Sequence, residues 1–234
     1  MSLSKGRSKN MILDKILLFF LLVFGFSSES WAKCAPPDID LSKTVFYSPI
    51  DKTLHVKNTI VAYKVADKIL HILTSVHVET IHFECVLGGL AKDIDKLAPH
   101  LRSFKVEVTG VCNSGCAVLA LSAKKLSFRN NGDLKFPSSM MIHATYDAKT
   151  MKATDAGMAR LSLYTQRLKA IPQDVLTEVL TEKRMDNYGL IISYNSNEQL
   201  NSKDSSVFWC QPYPDQCKPI GGISLNDLQI TKLP

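Results

Sequence analysis

The stretch Cys112-Asn113-Ser114-Gly115-Cys116 places a serine among small residues, and Met140-Met141-Ile142 further on leads directly to His143. A serine hydroxyl is a poor nucleophile at its own pKa. It attacks a carbonyl when a neighbouring base, usually histidine, removes its proton and donors meet the oxyanion that forms. Ser114 and His143 would supply nucleophile and base. Gly88-Gly89, at an earlier turn, offers backbone N–H groups that a carbonyl can approach closely, since glycine has no side chain. Each part also has a bland reading. An Asn-Ser-Gly turn is an ordinary helix start with serine as the cap, Gly-Gly is an ordinary turn, and a histidine behind an apolar run is often a core residue. The order and spacing of all three together point to acyl-transfer chemistry.

Such groups need strands that end beside one another. Thr44–Tyr47 and Leu54–Lys57 read as short strands, and Asn58–Thr74, with Ile60, Val61, Tyr63, Val65, Ile69, Leu70 and Leu73 at mostly helical intervals, reads as a helix. Val78–Phe83 is the next strand, Leu90–Leu101 a helix carrying Pro99, and Phe104–Val108 a strand, after which Ser114–Ala123 is helical. Strand-like pieces flank a turn at Asn130-Asn131-Gly132-Asp133 and end at His143. Thr154–Ala170 and the stretch from Pro172 to about Lys183 read as helices, and Leu190–Ser193 as a last strand. Strands alternating with helices imply right-handed crossovers and a mainly parallel sheet, an α/β fold. Ligands of such sheets bind beyond the carboxyl ends of the strands. Gly88-Gly89 and Ser114 both fall there.

The first 32 residues have the layout of a secretory signal: basic Lys5, Arg7, Lys9 and Lys15, an apolar Ile16–Phe26, then Ser30-Trp31-Ala32 at the cleavage positions. The apolar run falls short of the ~20 residues a bilayer span needs. Removal would lower the net charge from +6 to +4, because four Lys/Arg leave with two Asp/Glu. No basic cluster is interleaved with aromatics, so nucleic-acid binding has no support. Residues 33–200 read as one domain and 201–234 as a cysteine-containing extension.

All six cysteines, Cys34, Cys85, Cys112, Cys116, Cys210 and Cys217, follow the signal, so disulfides are the simplest expectation. Only Cys210 with Cys217 is suggested directly, because the prolines between them bend the chain back. Cys85 and Cys112 fall at the ends of neighbouring strands and can bridge there, with Cys112 to Cys116 as the competing pairing. A metal site from Cys112, Cys116 and His82 or His143 lacks a second close Cys/His pair; no metal and no cofactor is expected.

In the order of these motifs the chain resembles the Clp protease proteolytic subunit and its crotonase-like relatives, especially small exported Clp-protease-like proteins. The matching pieces are Val78–Gly89, Val106–Ser114 with Gly115-Cys116-Ala117, and Met141-Ile142-His143, and Cys112-Asn113-Ser114-Gly115-Cys116 looks like the exported version. The resemblance covers about Leu54–Leu200. It implies repeated β-β-α units, Ser114 as nucleophile, His143 as general base, Gly89 and Gly115 as oxyanion donors, and commonly a homo-oligomer, with the Thr154–Ala170 helix as a candidate interface. The family acid aligns near Thr181, with Glu178, Glu182 and Asp186 nearby; allowing a short insertion, Asp186 is chosen. The Ser-Pro that usually precedes the Gly-Gly turn is missing.

The function expected is a secreted or periplasmic serine hydrolase, a peptidase acting on a peptide or protein through an acyl-Ser114 intermediate. The compartment lacks ATP, so no ATPase partner is expected. The other reading is an inactive crotonase-like binding or assembly module. A Ser-Lys variant through Lys124 or Lys125 ranks lower, as those lysines lie far along the helix. An α/β-hydrolase elbow needs glycines where Cys112 and Cys116 stand.

Overall fold

The computed structural model describes residues 34, 37–38, 40–132, 137–147, 153–154, 167–181, 189–194, 205–210 and 216–234. After a single turn, α1 (Leu41–Thr44), come β1 (Val45–Ser48), β2 (Thr53–Val61), α2 (Lys64–Ser75), β3 (Thr80–Gly89), α3 (Ala91–Leu101), β4 (Lys105–Asn113) and α4 (Gly115–Leu121). The chain continues through β5 (Lys125–Arg129), β6 (Ser139–Ile142), β7 (Thr145–Tyr146), β8 (Ala153–Thr154), a 3-10 turn at Arg167–Ala170 and α5 (Gln173–Thr181). It closes with β9 (Gly189–Ser193), β10 (Val207–Cys210), β11 (Cys217–Pro219) and β12 (Ile230–Leu233).

Among the described residues ten strands form one sheet, in the order β1-β2-β3-β4-β6-β9-β10-β11 with β5 and β12 on a side branch from β4. Strands β2, β3 and β4 run parallel, as do β5, β6 and β12 beside their partners on the β4 side; β1 at one end and β9, β10 and β11 toward the other are antiparallel. Alternation explains the layering. Leu54, Val56, Ile81, Phe83, Val106, Val108, Leu126 and Phe128 are buried, and α2, α3 and α4 pack side by side with the core they form. His55, His82, Glu107 and Ser127 share one row across β2 to β5 and face the other way.

The parallel strands bend at one level. Asn58 (φ +47°), Cys85 (φ +53°) and Gly110 (φ +67°) interrupt β2, β3 and β4 in turn, and the register of each ladder shifts near that level. Each bent strand is therefore two segments followed by a helix, the β-β-α unit expected for a crotonase-like fold. In β4 the two halves take different partners. Lys105–Val108 pairs with β5, whereas Val111–Asn113 pairs with β6. Buried Ser138 stitches the fork, its hydroxyl accepting from the Gly110 N–H at 3.0 Å and donating to the Arg129 carbonyl at 2.5 Å.

The bends explain where the sequence misleads. Helix Asn58–Thr74 does not begin at Asn58, since β2 continues to Val61 and α2 starts only at Lys64. The bulge at Asn58 offsets the apolar alternation and imitates helical spacing. For the same reason β3 and β4 outrun Val78–Phe83 and Phe104–Val108. The expected helix Thr154–Ala170 fails at both described ends: Ala153–Thr154 pairs antiparallel with Thr145–Tyr146, and Arg167–Ala170 is a 3-10 turn. Residues 155–166 lie outside the described residues. The helix after Pro172 is α5, as expected, and the C-terminal segment joins the main sheet through β10 and β12.

Candidate active site

Ser114 joins β4 to α4 with φ +54° and ψ −119°. A non-glycine residue at positive φ is strained, and strain of this kind is kept where surrounding structure over-determines it. Its hydroxyl makes no capping hydrogen bond to α4, so the ordinary reason for a serine at a helix start does not apply here. The Ser114 N–H is given to the Met141 carbonyl at 2.8 Å. That bond ties the end of β4 to β6. Gly115 then opens α4, where helix geometry leaves its N–H without an intrahelical acceptor.

The Gly88-Gly89 turn stands against this elbow. A methyl group on Gly88 would lie 3.4 Å from Ser114 Cβ and 3.8 Å from its Oγ, and one on Gly115 would lie 2.9 Å from the Gly89 nitrogen. Glycine is required at 89 as well, because a side chain there would meet Ile94 Cδ1 at 2.6 Å and the Val61 carbonyl at 2.8 Å. The two turns proposed to share an oxyanion are thus in contact through backbone.

His143 leaves the end of β6. Asn113 and Met141 are register partners, so Ser114 and His143 follow the ends of neighbouring parallel strands. The ring's Nδ1 lies 2.6 Å from the Ala144 carbonyl. A carbonyl only accepts, so Nδ1 carries the hydrogen and the neutral ring keeps its lone pair on Nε2, which is shielded from solvent. Burial pushes the His143 pKa below its ordinary value, and the bond to Ala144 partly opposes that shift. Tyr146 stacks on the ring at 5.7 Å between centroids.

Cys112 and Cys116 are bonded across Ser114, Cys210 is bonded to Cys217 as expected, and Cys34 is bonded to Cys85. The bridge Cys85 to Cys112 is therefore corrected. Val86, not Cys85, is the register partner of Cys112, and the bend turns Cys85 over Gly110, where an added methyl group would meet its Sγ at 2.8 Å and Cys34 Sγ at 3.7 Å. With both cysteines beside Ser114 oxidised, the metal alternative loses its thiolates. Among the described residues no three His, Cys, Asp or Glu gather as a metal site. Asp186 and Glu182 lie outside the described residues, and Glu178 is on an exposed face of α5. The Ala144 carbonyl and Tyr146 were missed by sequence reading. A carbonyl carries no sequence signal, but Thr145-Tyr146 is a β-branched and aromatic pair directly after the histidine.

No family model matches the chain, and no curated protein matches it. Among solved structures it is similar to human enoyl coenzyme A hydratase domain-containing protein 3, with 15% identity over 64% of this chain and 65% of that one at a TM-score of 0.41. It is also similar to an enoyl-CoA hydratase from Mycobacterium avium subsp. paratuberculosis K-10, with 9% identity over 86% of this chain and 73% of that one, again at 0.41. The chain spans just under two thirds of the human protein's length. Likeness at this level assigns no activity.

Proposed function

We propose that the chain is an exported, disulfide-bonded serine hydrolase of Clp-protease-like type, acting on a peptide or protein without an ATPase partner. The observation that carries this is Ser114 itself, held at positive φ with its hydroxyl unused as a cap. Residues 1–32 would be its export signal, 33–200 the catalytic domain and 201–234 an extension; three disulfides among the described residues are compatible with an oxidising compartment.

In this reading His143 Nε2 takes the proton of Ser114 Oγ as Oγ bonds to the substrate carbonyl carbon. The carbonyl oxygen becomes an oxyanion facing the N–H groups of Gly89 and Gly115. The imidazolium then gives its proton to the leaving group as the scissile bond breaks; water, deprotonated by the same ring, attacks the acyl carbon, and the ring returns that proton to Ser114 Oγ as the acyl–Oγ bond breaks. A neutral histidine with its Nε2 shielded from solvent is suited to accept a proton at neutral pH, and the Ala144 carbonyl holds the Nδ1–H side in the orienting role a carboxylate usually fills.

The test is covalent labelling of the oxidised protein with a fluorophosphonate. Wild type should be labelled, Ser114→Ala should not, and His143→Ala should lose at least ~100-fold in rate. A folded, oxidised wild type that takes no label is instead a binding or assembly module.

A further inference from the structure

The strand order sets the carboxyl-end turns side by side. They run from Ala62-Tyr63 after β2, through Gly88-Gly89 on β3 and Ser114 after β4, to His143 after β6. The first of these has no role in the reaction above, yet it is built like the nucleophile turn. Tyr63 has φ +46° and ψ −116°, close to the values at Ser114. The buried carboxylate of Asp93, on α3, accepts the Tyr63 N–H at 2.8 Å and fixes this turn. Tyr63 remains 38% exposed, and the ammonium of exposed Lys92 lies 4.7 Å from its ring centroid. Asp93 is engaged by the Tyr63 backbone, and Asp67 by Lys96 at 2.9 Å.

We propose that Tyr63 and Lys92 form the shelf that recognises the acyl side of the substrate and select a peptide with an acidic residue about three positions before the scissile bond. The assignment rests on the serine-hydrolase reading. His143 must return its proton to the leaving group, so the leaving group lies on the β6 side of Ser114. The acyl chain then runs the opposite way, over β3 toward β2. Two strand spacings are ~10 Å, which an extended peptide covers in about three residues. At that distance the aromatic face meets the peptide, and the ammonium above it meets a carboxylate. An aromatic ring does not neutralise the cation, so its hydrogens remain available to an anion.

The experiment uses three peptide 4-nitroanilides that differ only in Glu, Gln or Lys at the third residue before the anilide. They are assayed with the oxidised full-length mature protein, its active sites counted by fluorophosphonate titration. The expected result is a kcat/KM at least about tenfold higher for the Glu peptide than for the Lys peptide. Lys92→Glu, a substitution favourable to the first turn of α3, should reverse that order. Tyr63→Gly, which relieves the positive φ, should bring the ratio close to one. A wild-type ratio near one, or a ratio that Lys92→Glu leaves in place, overturns the shelf while the hydrolase stands. A protein that neither takes the label nor cleaves any of the three peptides removes the hydrolase reading and the shelf together.

Discussion

At the scale of single residues, His143 is where acidity should register. Burial holds its pKa below the ordinary histidine value of about 6.5, whereas in the unfolded chain it takes a proton near that value. The folded state therefore keeps its full margin above pH ~6.5 and loses it as pH falls toward the depressed folded value. His82 shifts the same way, through burial and then the charge of His55, so its contribution has the same sign. Urea midpoints at about pH 7.5 and 5.5 should show wild type weakening in acid, with a smaller drop in His143→Gln and a smaller one still when His82→Asn is added. Equal drops in all three proteins would contradict the assignment. Labelling of Ser114 should stay flat through pH ~6.5 and fall only as pH approaches the depressed value of the folded His143. Ser114 and His143 were legible in the sequence because their residue types are the chemistry. The Ala144 carbonyl was not, since every residue has one and only the path of the chain after β6 aims it at Nδ1.

At the scale of elements, the two disulfides near the site differ in what they hold. Cys34 and Cys85 are separated by 51 residues and Cys112 and Cys116 by 4. Loop-closure entropy assigns ~4 kcal/mol to the longer span and ~2 kcal/mol to the shorter. Replacing Cys34 and Cys85 by serine should lower unfolding free energy by about 4 kcal/mol in denaturant titrations. Replacing Cys112 and Cys116 should cost about half that but slow fluorophosphonate labelling more, because this pair brackets the strained turn. If the labelling loss follows stability alone, the short bridge has no part in shaping the elbow. Helix α3 was legible from Leu90, Ile94, Leu97 and Leu101. Strand lengths were not, because one residue at positive φ in each of β2, β3 and β4 shifts the alternation that marks a strand.

At the scale of the molecule, the C-terminal segment is held as part of the main sheet. Arg167, buried although charged, donates to the carbonyls of Ala123, Lys124 and Gln229 at 2.6, 3.1 and 2.8 Å. It thereby ties the end of α4 to the entry of β12. Burial lowers its pKa, and the three carbonyls take up three of its five N–H donors. Lysine at this position keeps the charge but not the planar fork. Arg167→Lys should therefore cost about 2 kcal/mol, or roughly 5 °C in thermal midpoint, and an unchanged midpoint would remove Arg167 from this role. The α/β class was legible from the alternation of strands and helices. The joining of residues 205–234 to that sheet was not, because a polar stretch with a cysteine loop shows no partner until β5 and β9 are in place.

The fork in β4 bears on how such a chain changes over generations. Among the described residues, strand pairing connects the limb of β5 and β12 to the limb of β6, β9, β10 and β11 only through β4. Strands added or lost at the far end of either limb leave the register of the other untouched. Descendants are therefore expected to differ most at the limb tips and least around Gly110 and Ser138, where one hydroxyl serves both limbs at once.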